Sequence, residues 1–307
     1  MIYLGIKSGL GNQMFQYAFG KAASIENTLN LSLDTSAYAR QFARDTPRSF
    51  GLQHFNIQSP IATDQETEKF HTKWQIFKRR VKNKILPIRN YEFKPSELRV
   101  VDGQYIEGFW QSEKYFEKHS DIIREEFTLK NPLGAEATQA LQEIRDFKQK
   151  GYETIMVHVR RGDYVTNKHS IALLGVLEPD YFSLAIEKVC SEIDKRNMEN
   201  GNNSDSNLYA GSKPKHIFFA TEDTAWVKQN IKPHINYSFI SRPGIYDFEE
   251  MVVMSNCDHF VISNSSFSWW AAWLGTHPNK IVAAPKKWIV DPSVNTADAT
   301  PEEWFRV

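Results

Sequence analysis

The chain has 307 residues, which is long for a single hydrophobic core and suits two domains of about 150 residues each. Hydrophobic residues make up 41% and charged residues 24%, a composition that excludes a disordered or fibrous protein. The formal net charge is zero, although the first 100 residues carry +7 and the remainder −7. Because this overall neutrality argues against a dedicated nucleic-acid-binding protein, we expect no nucleic-acid partner.

The two cysteines, Cys190 and Cys257, lie in apolar stretches without CxxC spacing and without a neighbouring His cluster. We interpret both as reduced core residues rather than disulfide partners or metal ligands. No apolar run approaches the roughly 20 residues that a membrane-spanning helix needs. The chain is therefore expected to be cytoplasmic, with no signal for secretion or for a transmembrane anchor.

The N-terminal stretch predicts a strand over residues 1–6, a glycine loop, and a helix over residues 14–23. In that order, backbone N–H groups at the start of the helix point towards a ligand. The loop is a weak dinucleotide fingerprint, since Met14 occupies the place of the third glycine. We interpret it as a tight turn that presents Asn12 and Gln13 into a cleft.

Residues 69–89 mix basic and apolar side chains at helical spacing. Two interpretations stay open: a solvated helix that packs by its apolar stripe, or a basic amphipathic helix on an anionic bilayer surface. Residues 100–110 then predict a strand that ends in Phe109 and Trp110. Helical patterns over residues 120–127 and 136–150 follow, so we place the N-terminal domain at residues 1–150.

Strands and helices alternate in the second half, which predicts a parallel sheet, an α/β fold class and a second domain at residues 151–307. The predicted strands are residues 154–157, 216–220, 259–262 and 280–284. The predicted helices are residues 178–193, one that Thr221 caps, residues 248–254 and residues 269–274. Residues 195–215 are rich in Asn, Ser, Gly and Lys and predict a mobile surface loop.

Three loops of this half each follow a predicted strand, so they should meet at the carboxyl edge of the sheet. The first carries Arg160 and Arg161, whose guanidinium forks suit the oxygens of a diphosphate. Beside them, His158 and Asp163 are candidates either for ion-pair partners of the arginines or for acid–base groups.

The second loop carries Glu222 and Asp223. A carboxylate there could accept both adjacent donors of a guanine edge, or the pair could simply cap the following helix. The third loop, residues 263–268, is rich in hydroxyl and amide side chains at a helix start. Such a loop either binds phosphate oxygens or forms a turn with helix caps.

Three segments together resemble the α-1,2-fucosyltransferase family: residues 158–164 (HVRRGDY), 8–18 (SGLGNQMFQYA) and 263–273 (SNSSFSWWAAW). The resemblance extends from residue 1 to about residue 290. It implies two Rossmann-like domains facing across a cleft (the GT-B type of glycosyltransferase), with acceptor binding in residues 1–150 and donor binding in residues 151–307. It also implies GDP-fucose as donor, no metal requirement, and inversion at the sugar carbon.

Carried onto this sequence, the family's contact to the donor β-phosphate falls on Arg160, and Glu222–Asp223 departs from the family's usual pair of aspartates. Which carboxylate would contact guanine stays open. Further donor-binding candidates are Arg161, Asp247, Asn264, Ser265, Ser266 and Ser268. The catalytic candidates are Arg160, Asp163 and His158, and the acceptor-binding candidates are Asn12 and Gln13, with Phe109 and Trp110 nearby.

The predicted function is therefore transfer of L-fucose from GDP-fucose to the 2-hydroxyl of a terminal galactoside, on an oligosaccharide or a lipid-linked glycan. The alternative is a catalytically inactive protein that binds a sugar nucleotide or a glycan. A phosphatase is disfavoured, because no nucleophilic cysteine or paired-aspartate site accompanies the arginines. No Asp-x-Asp motif is present to hold a divalent ion, so no metal or other cofactor is expected. The basic segment adds the expectation of peripheral contact with the inner membrane face.

Overall fold

Two separate parallel sheets organise the protein, as seen in a computed structural model that describes residues 1–40, 47–72, 74–75, 91–200, 213–292 and 294–307. The chain divides into two units. Unit 1 comprises Met1–Pro132 and Val294–Pro301, and unit 2 comprises Leu133–Ser293 and Glu302–Val307. Each unit builds its own sheet from parallel strands with helices between them, which confirms the predicted α/β class.

Unit 1 contains a three-stranded parallel sheet in the order β2-β1-β3. Its elements are β1 (Ile2–Gly5), α1 (Leu10–Glu26), β2 (Leu31–Asp34), α2 (Asp64–Thr67), β3 (Tyr105–Ile106) and α3 (Ser120–Glu126), with several short 3-10 turns. Helix α1 is buried along most of its length, because its Met, Phe, Tyr and Ala side chains cover the sheet. Strand β3 is shorter than predicted, and Gly103, with φ of +76°, turns the chain just before it.

Unit 2 contains a six-stranded, fully parallel sheet in the order β6-β5-β4-β7-β8-β9. The strands are β4 (Glu153–His158), β5 (Lys215–Ala220), β6 (Tyr237–Phe239), β7 (His259–Val261), β8 (Val282–Ala284) and β9 (Phe305–Arg306). The helices are α4 (Ala135–Gln149), α5 (Gly162–Thr166), α6 (Lys168–Leu174), α7 (Pro179–Asn200), α8 (Thr224–Asn230), α9 (Asp247–Met254) and α10 (Ser266–Leu274).

The direction of winding reverses between β4 and β7. The chain first adds β5 and β6 on one side of β4, then crosses over to β7 and continues to β8 and β9 on the other side. In open parallel sheets, ligands bind beyond the carboxyl ends of the two strands at which the winding reverses. The topology therefore directs attention to the loops that follow β4 and β7.

Both faces of the larger sheet are covered, which explains why its strands are almost continuous apolar runs. On one face, Ile155, Phe219 and Val261 of three adjacent strands pack against Phe182 and Val189 of α7. Each is at most 1% exposed, and full burial of such a side chain is worth about 1.5–3 kcal/mol. This packing holds the strand ends, and hence the loops after them, in fixed positions.

Both cysteine thiols are free. Cys257 is buried and Cys190 is partly buried, and burial raises the pKa of both thiols, that of Cys190 to about 11. The thiol forms therefore dominate at neutral pH. None of the described helices is both long and apolar enough to cross a membrane.

Helix α4 belongs to unit 2, so the units divide before Leu133 rather than at residue 150. Ala140 and Ile144 of this helix are buried, and at its start the Gly134 N–H donates to Glu249 of α9 at 2.7 Å. A sequence pattern alone does not reveal which sheet an amphipathic helix covers.

Helix α7 continues to Asn200, where the sequence predicts a loop from residue 195. Arg196 pairs with Glu192 one turn earlier at 3.2 Å, which supports this last stretch. Residues 201–212 of the predicted loop lie outside the described residues. So do residue 73 and residues 76–90, which make up most of the predicted basic helix.

Candidate active site

Hydrogen bonds join the loops after β4 and β7. The backbone N–H of Arg160 donates to Ser263 Oγ at 3.0 Å, and Ser263 Oγ donates in turn to the carbonyl of His158 at 2.8 Å. Tyr164 OH donates to the carbonyl of Asn264 at 3.2 Å. Because Ser263 is 1% exposed, this connection is shielded from water. The two loops that flank the winding reversal therefore form one rigid edge.

Arg160 lies on this edge with its guanidinium partly exposed. Its Nη1 atom is 3.3 Å from Glu222 Oε1, and its Cζ atom is 5.4 Å from the centre of the Tyr164 ring. The Arg160 side chain is 23% exposed and that of Glu222 is 34% exposed. A pair with this much solvent contact is held weakly. The contact with Glu222 therefore adds little restraint on the Arg160 side chain.

Arg161, by contrast, is engaged on several sides. Its Nε donates to Asp223 Oδ2 at 3.1 Å, its Cζ lies 4.0 Å from the centre of the Trp226 ring, and its backbone N–H donates to Glu222 at 3.1 Å. Stacking on an indole face combined with a carboxylate contact fixes a guanidinium in place. The geometry favours Arg161 as a residue that shapes the loop.

Asp223 caps helix α8, because its Oδ1 accepts the N–H of Trp226 at 3.0 Å. The prediction that Thr221 caps this helix is wrong. Thr221 Oγ1 instead accepts the N–H of Asp223 at 3.0 Å, one step before the helix. One carboxylate oxygen of Asp223 caps the helix and the other binds Arg161. Of the two interpretations offered for Glu222–Asp223, a guanine contact or a helix cap, the cap fits Asp223.

His158 is the last residue of β4 and is 3% exposed. Burial, together with the positive charge of Arg160, lowers the pKa of His158 to about 3, so the ring is neutral at physiological pH. Among the described residues, its Nδ1 has no hydrogen-bond partner. Asp163 lies in α5, and the position of its side chain is outside the described part of the chain.

Two of the predicted donor contacts on the third loop are held inside the fold. Asn264 is 3% exposed, and its Nδ2 donates to the carbonyls of Leu174 at 2.6 Å and of Trp288 at 3.3 Å. Ser268 is fully buried, and its hydroxyl donates to the carbonyl of Ser265 at 3.3 Å. Their side chains serve the packing of the loop, so the geometry does not support a direct contact between them and a donor.

Ser265 and Ser266 begin helix α10. Ser265 Oγ accepts the N–H of Phe267 at 3.3 Å and caps the helix, while Ser266 is its first residue and is partly exposed. The positive end of a helix dipole at this position favours an anion. The start of α10 and Arg160 thus lie on the two loops that Ser263 joins.

Glu250 of α9 lies close to Arg160 and Glu222, and the sequence motifs did not indicate it. It accepts a hydrogen bond from Ser241 Oγ, which in turn accepts the N–H of Thr221 at 2.7 Å. Burial raises the pKa of Glu250; the nearby carboxylates of Glu222 and Asp247 raise it further, and Arg160 opposes them. Asp247 itself is exposed at the first position of α9. Helical spacing from Asp247 is the only sequence signal that could have pointed to Glu250.

In unit 1, Gln13 is buried and its side chain is fully used by the fold. Its Nε2 donates to the carbonyls of Ser8 at 2.9 Å and Ser49 at 2.8 Å, and its Oε1 accepts the N–H of Gly51 at 2.8 Å. It therefore shapes the glycine loop, and the geometry does not support its predicted contact with an acceptor. Asn12 is partly exposed.

The aromatic candidates of unit 1 also serve packing. Phe109 is 7% and Trp110 is 6% exposed. The Trp110 ring stacks on Phe19 with ring centres 3.8 Å apart. These two rings are core residues, so any acceptor contact from this loop must come from its polar neighbours.

No three His, Cys, Asp or Glu side chains among the described residues are grouped so that they could hold a metal ion. A cavity of about 860 Å³ lies between α7 and residues 231–235. Its lining includes none of the candidate site residues. The chemistry of this unit is therefore better sought at the edge formed by the loops after β4 and β7.

Residues 1–199 and 206–307 match the model of the family described as glycosyl transferase family 11. The chain is 28% identical to the O-antigen biosynthesis glycosyltransferase WbnK of Escherichia coli over 100% of both chains. It is 29% identical to an alpha-1,2-colitosyltransferase of Escherichia coli, over 98% of this chain and 97% of that one. Among solved structures, the fucosyltransferase NodZ from Bradyrhizobium aligns with 88% of this chain and 92% of its own, at 14% identity and a TM-score of 0.49.

The family match covers nearly the whole chain and includes all three motif segments, and the two parallel α/β units agree with the two Rossmann-like domains that the resemblance implies. The protein belongs to glycosyl transferase family 11, the α-1,2-fucosyltransferase family that its motifs predict.

Proposed function

We propose that this glycosyltransferase transfers L-fucose from GDP-fucose to the 2-hydroxyl of a terminal galactoside, with inversion at the sugar carbon. The family supports this proposal, as do relatives named galactoside 2-alpha-L-fucosyltransferase, from Caenorhabditis elegans, and galactoside alpha-(1,2)-fucosyltransferase 2, from Mus musculus. The name of WbnK supports an O-antigen glycan as the acceptor, in oligosaccharide or lipid-linked form.

The observation that carries the proposal is the position of Arg160. It lies where the winding of the larger sheet reverses, its backbone is tied to Ser263 at 3.0 Å, and its contact with Glu222 is partly exposed to solvent. A diphosphate bound there would meet a guanidinium fork on one side and the start of α10 on the other.

Arg160 would then act on the leaving group. As the bond between fucose and the β-phosphate breaks, negative charge grows on the phosphate oxygens, and a positioned guanidinium stabilises that charge. Arg161, held by Asp223 and Trp226, would keep the loop in the geometry that this contact requires.

For the guanine base, we propose Glu250 with Asp247 near it, in place of the Glu222–Asp223 pair. Asp223 caps α8 and binds Arg161, and Glu222 binds the backbone of Arg161 and the side chain of Arg160. Glu250 is partly buried beside them, and its pKa is raised in the free protein. The two adjacent N–H donors of guanine would stabilise its charged form.

The acceptor 2-hydroxyl must lose a proton during the transfer. A histidine whose conjugate acid has a pKa of about 3 is a weak base, so we assign His158 a positioning role beneath the arginine loop. Asp163 remains the proposed base, with late proton loss to solvent as the alternative.

The test is GDP release in the presence of GDP-fucose and a β-galactoside, with the product linkage assigned by NMR. We expect turnover that needs both substrates, persists in EDTA and yields an α-1,2 linkage. If GDP raised the melting temperature but no acceptor in a broad panel was fucosylated, the protein would be a binding protein without catalysis. Turnover that EDTA abolished would contradict the proposed metal-independent mechanism.

A second candidate donor is a GDP-linked colitose, favoured by the 29% identity to the alpha-1,2-colitosyltransferase. The two candidates share a nucleotide site and differ only in the sugar. Comparing kcat/KM for the two donors at a fixed acceptor concentration separates them. A preference of at least tenfold for either one would identify the physiological donor class.

We further propose that the protein works in the cytoplasm at the inner membrane face, where lipid-linked glycans are assembled. The basic character of residues 69–89 and the name of WbnK support this. Co-sedimentation with anionic liposomes should weaken when Lys78, Arg79 and Arg80 are neutralised. Unchanged co-sedimentation would remove the electrostatic part of the proposal.

A further inference from the structure

The loops after β1 and β3 of unit 1 resemble the loops after β4 and β7 of unit 2, because each pair follows the two strands at which the winding of its sheet reverses. Strand β1 lies between β2 and β3, so the winding of this sheet reverses between β1 and β3. Each of the two loops contains a non-glycine residue in the left-handed region: Ser8 with φ of 72° and Trp110 with φ of 40°. Such backbone costs about 1–3 kcal/mol per residue and persists only where surrounding contacts enforce it.

A buried glutamine holds the two loops together. Gln16 is 0% exposed; its Oε1 accepts the N–H of Lys7 at 3.0 Å, and its Nε2 donates to the carbonyl of Gly108 at 3.0 Å. The carbonyl of Ser8 also accepts hydrogen bonds from Gln13 at 2.9 Å and from Tyr38 at 3.1 Å. Hydrogen bonds with Gln16, Gln13 and Tyr38 thus hold the backbone around Ser8 in its left-handed conformation.

Two polar pairs lie at these loops and at the start of α1. Lys7 Nζ lies 2.5 Å from Glu107 Oε1, and the two side chains are 25% and 26% exposed. Gln111 Nε2 donates to Asn12 Oδ1 at 2.5 Å. The Lys7 ammonium also lies 5.5 Å from the centre of the Phe109 ring. The first pair joins the two loops. The second joins the first turn of α1 to Gln111 of the loop after β3, and Gln111 is 8% exposed.

This set of groups suits one class of ligand. Ammonium and amide N–H groups donate hydrogen bonds, carboxylate and amide oxygens accept them, and the four side chains carry no net charge. Sugar hydroxyl groups both donate and accept, so neighbouring hydroxyls of a pyranose can match such pairs. A charged ligand would gain no net attraction from them.

We infer that Lys7, Glu107 and Asn12 form the acceptor subsite and bind hydroxyl groups of a neutral, galactoside-type sugar, while the buried Gln111 holds Asn12 in place. The inference rests on the proposed function. It adds two binding residues, Lys7 and Glu107, and one positioning residue, Gln111, and no motif indicated any of the three. Glu107 and Lys7 act here as binding groups that set acceptor specificity, and not as groups that take part in bond breaking.

The test compares Glu107→Gln and Lys7→Met with the wild type in three measurements. We expect KM for the β-galactoside to rise at least tenfold in each variant. KM for GDP-fucose, and the slow release of GDP when water is the acceptor, should stay within about twofold, because the donor site lies in unit 2. Saturation-transfer NMR with a methyl β-galactoside, without donor, should show the same loss of glycan binding.

Lys114→Met provides a matched control, because Lys114 forms a similar pair with Asp298 at 2.8 Å in the same unit, with side chains 34% and 19% exposed. It should leave KM for the acceptor unchanged. The inference is overturned if Glu107→Gln raises this KM no more than the control does. It is equally overturned if GDP release to water falls in parallel, which would indicate a structural role. Absence of turnover by the wild type would contradict the proposed function instead, and the NMR measurement would still decide the inference.

Discussion

Replacement of Arg160 by Ala should reduce kcat/KM for GDP-fucose by about three orders of magnitude. The guanidinium can make two charge-assisted hydrogen bonds to a diphosphate, each worth about 1.5–3 kcal/mol. Their loss would raise the barrier by about 3–6 kcal/mol, and each 1.36 kcal/mol is a factor of ten in rate. Glu222, left without its partner at 3.3 Å, would also repel the phosphates.

The assay is steady-state GDP release at saturating acceptor, with the affinity for GDP measured by calorimetry. Arg160→Lys keeps the charge and loses the planar fork, so it should recover only part of the activity. Loss of the partly exposed contact between Arg160 and Glu222 costs about 0–1 kcal/mol of folding stability, so the melting temperature should change little.

Arg242→Ala is the matched control. Arg242 pairs with Glu143 at 2.8 Å in the same unit, with side chains 22% and 35% exposed, against 23% and 34% for Arg160 and Glu222. It should lose no more than a few-fold in activity. If Arg160→Ala kept activity and GDP affinity within tenfold of the wild type, the assignment of the diphosphate to this edge would be refuted.

Three further predictions concern unit 2. Glu250→Gln should weaken GDP binding about tenfold and flatten its pH dependence. In the wild type, the affinity for GDP should fall as the pH drops through the raised pKa of Glu250, because the guanine contact needs the ionised carboxylate. A variant with the same pH profile as the wild type would count against this role. The hydrogen bond with His259 lowers the pKa of Glu153 from 4.5 to about 2, which corresponds to about 3 kcal/mol of folding stability. This stability is present above pH 4.5 and is lost as the pH falls through 2, so Glu153→Gln should lower the melting temperature at pH 7 and less at pH 3. Gly162→Ala would place a Cβ 2.5 Å from Glu222 Oε1 and should raise KM for GDP-fucose several-fold with little change in melting temperature, whereas an unchanged KM would show that this carboxylate moves freely.

The sequence predicted the larger sheet and the polar loops after β4 and β7, because an apolar strand followed by charged or hydroxyl residues is a local sequence pattern. Arg160 and Ser265 lie where that pattern indicates, at the ends of β4 and β7. The sequence did not predict which side chains of these loops are buried, because burial depends on residues distant in sequence. Asn264 and Ser268 lie in the predicted loop, yet their side chains are bound by Leu174, Trp288 and Ser265 inside the fold.

Glu250 shows the opposite case. It occupies the middle of a helix, with no motif around it. It became a candidate because Ser241, from another segment, donates to it and accepts the N–H of Thr221. The residues that we propose for the acceptor subsite are a similar case, since Glu107 contacts Lys7 across 100 residues of the chain. Contacts of this kind depend on the strand order β2-β1-β3, which periodicity alone does not determine.

The most direct test of the central claim is a crystal structure of the protein with GDP. We predict that the β-phosphate lies within about 3 Å of the Arg160 guanidinium and of the backbone N–H groups at the start of α10, with the guanine edge against Glu250. A diphosphate bound away from the loops after β4 and β7 would contradict the account.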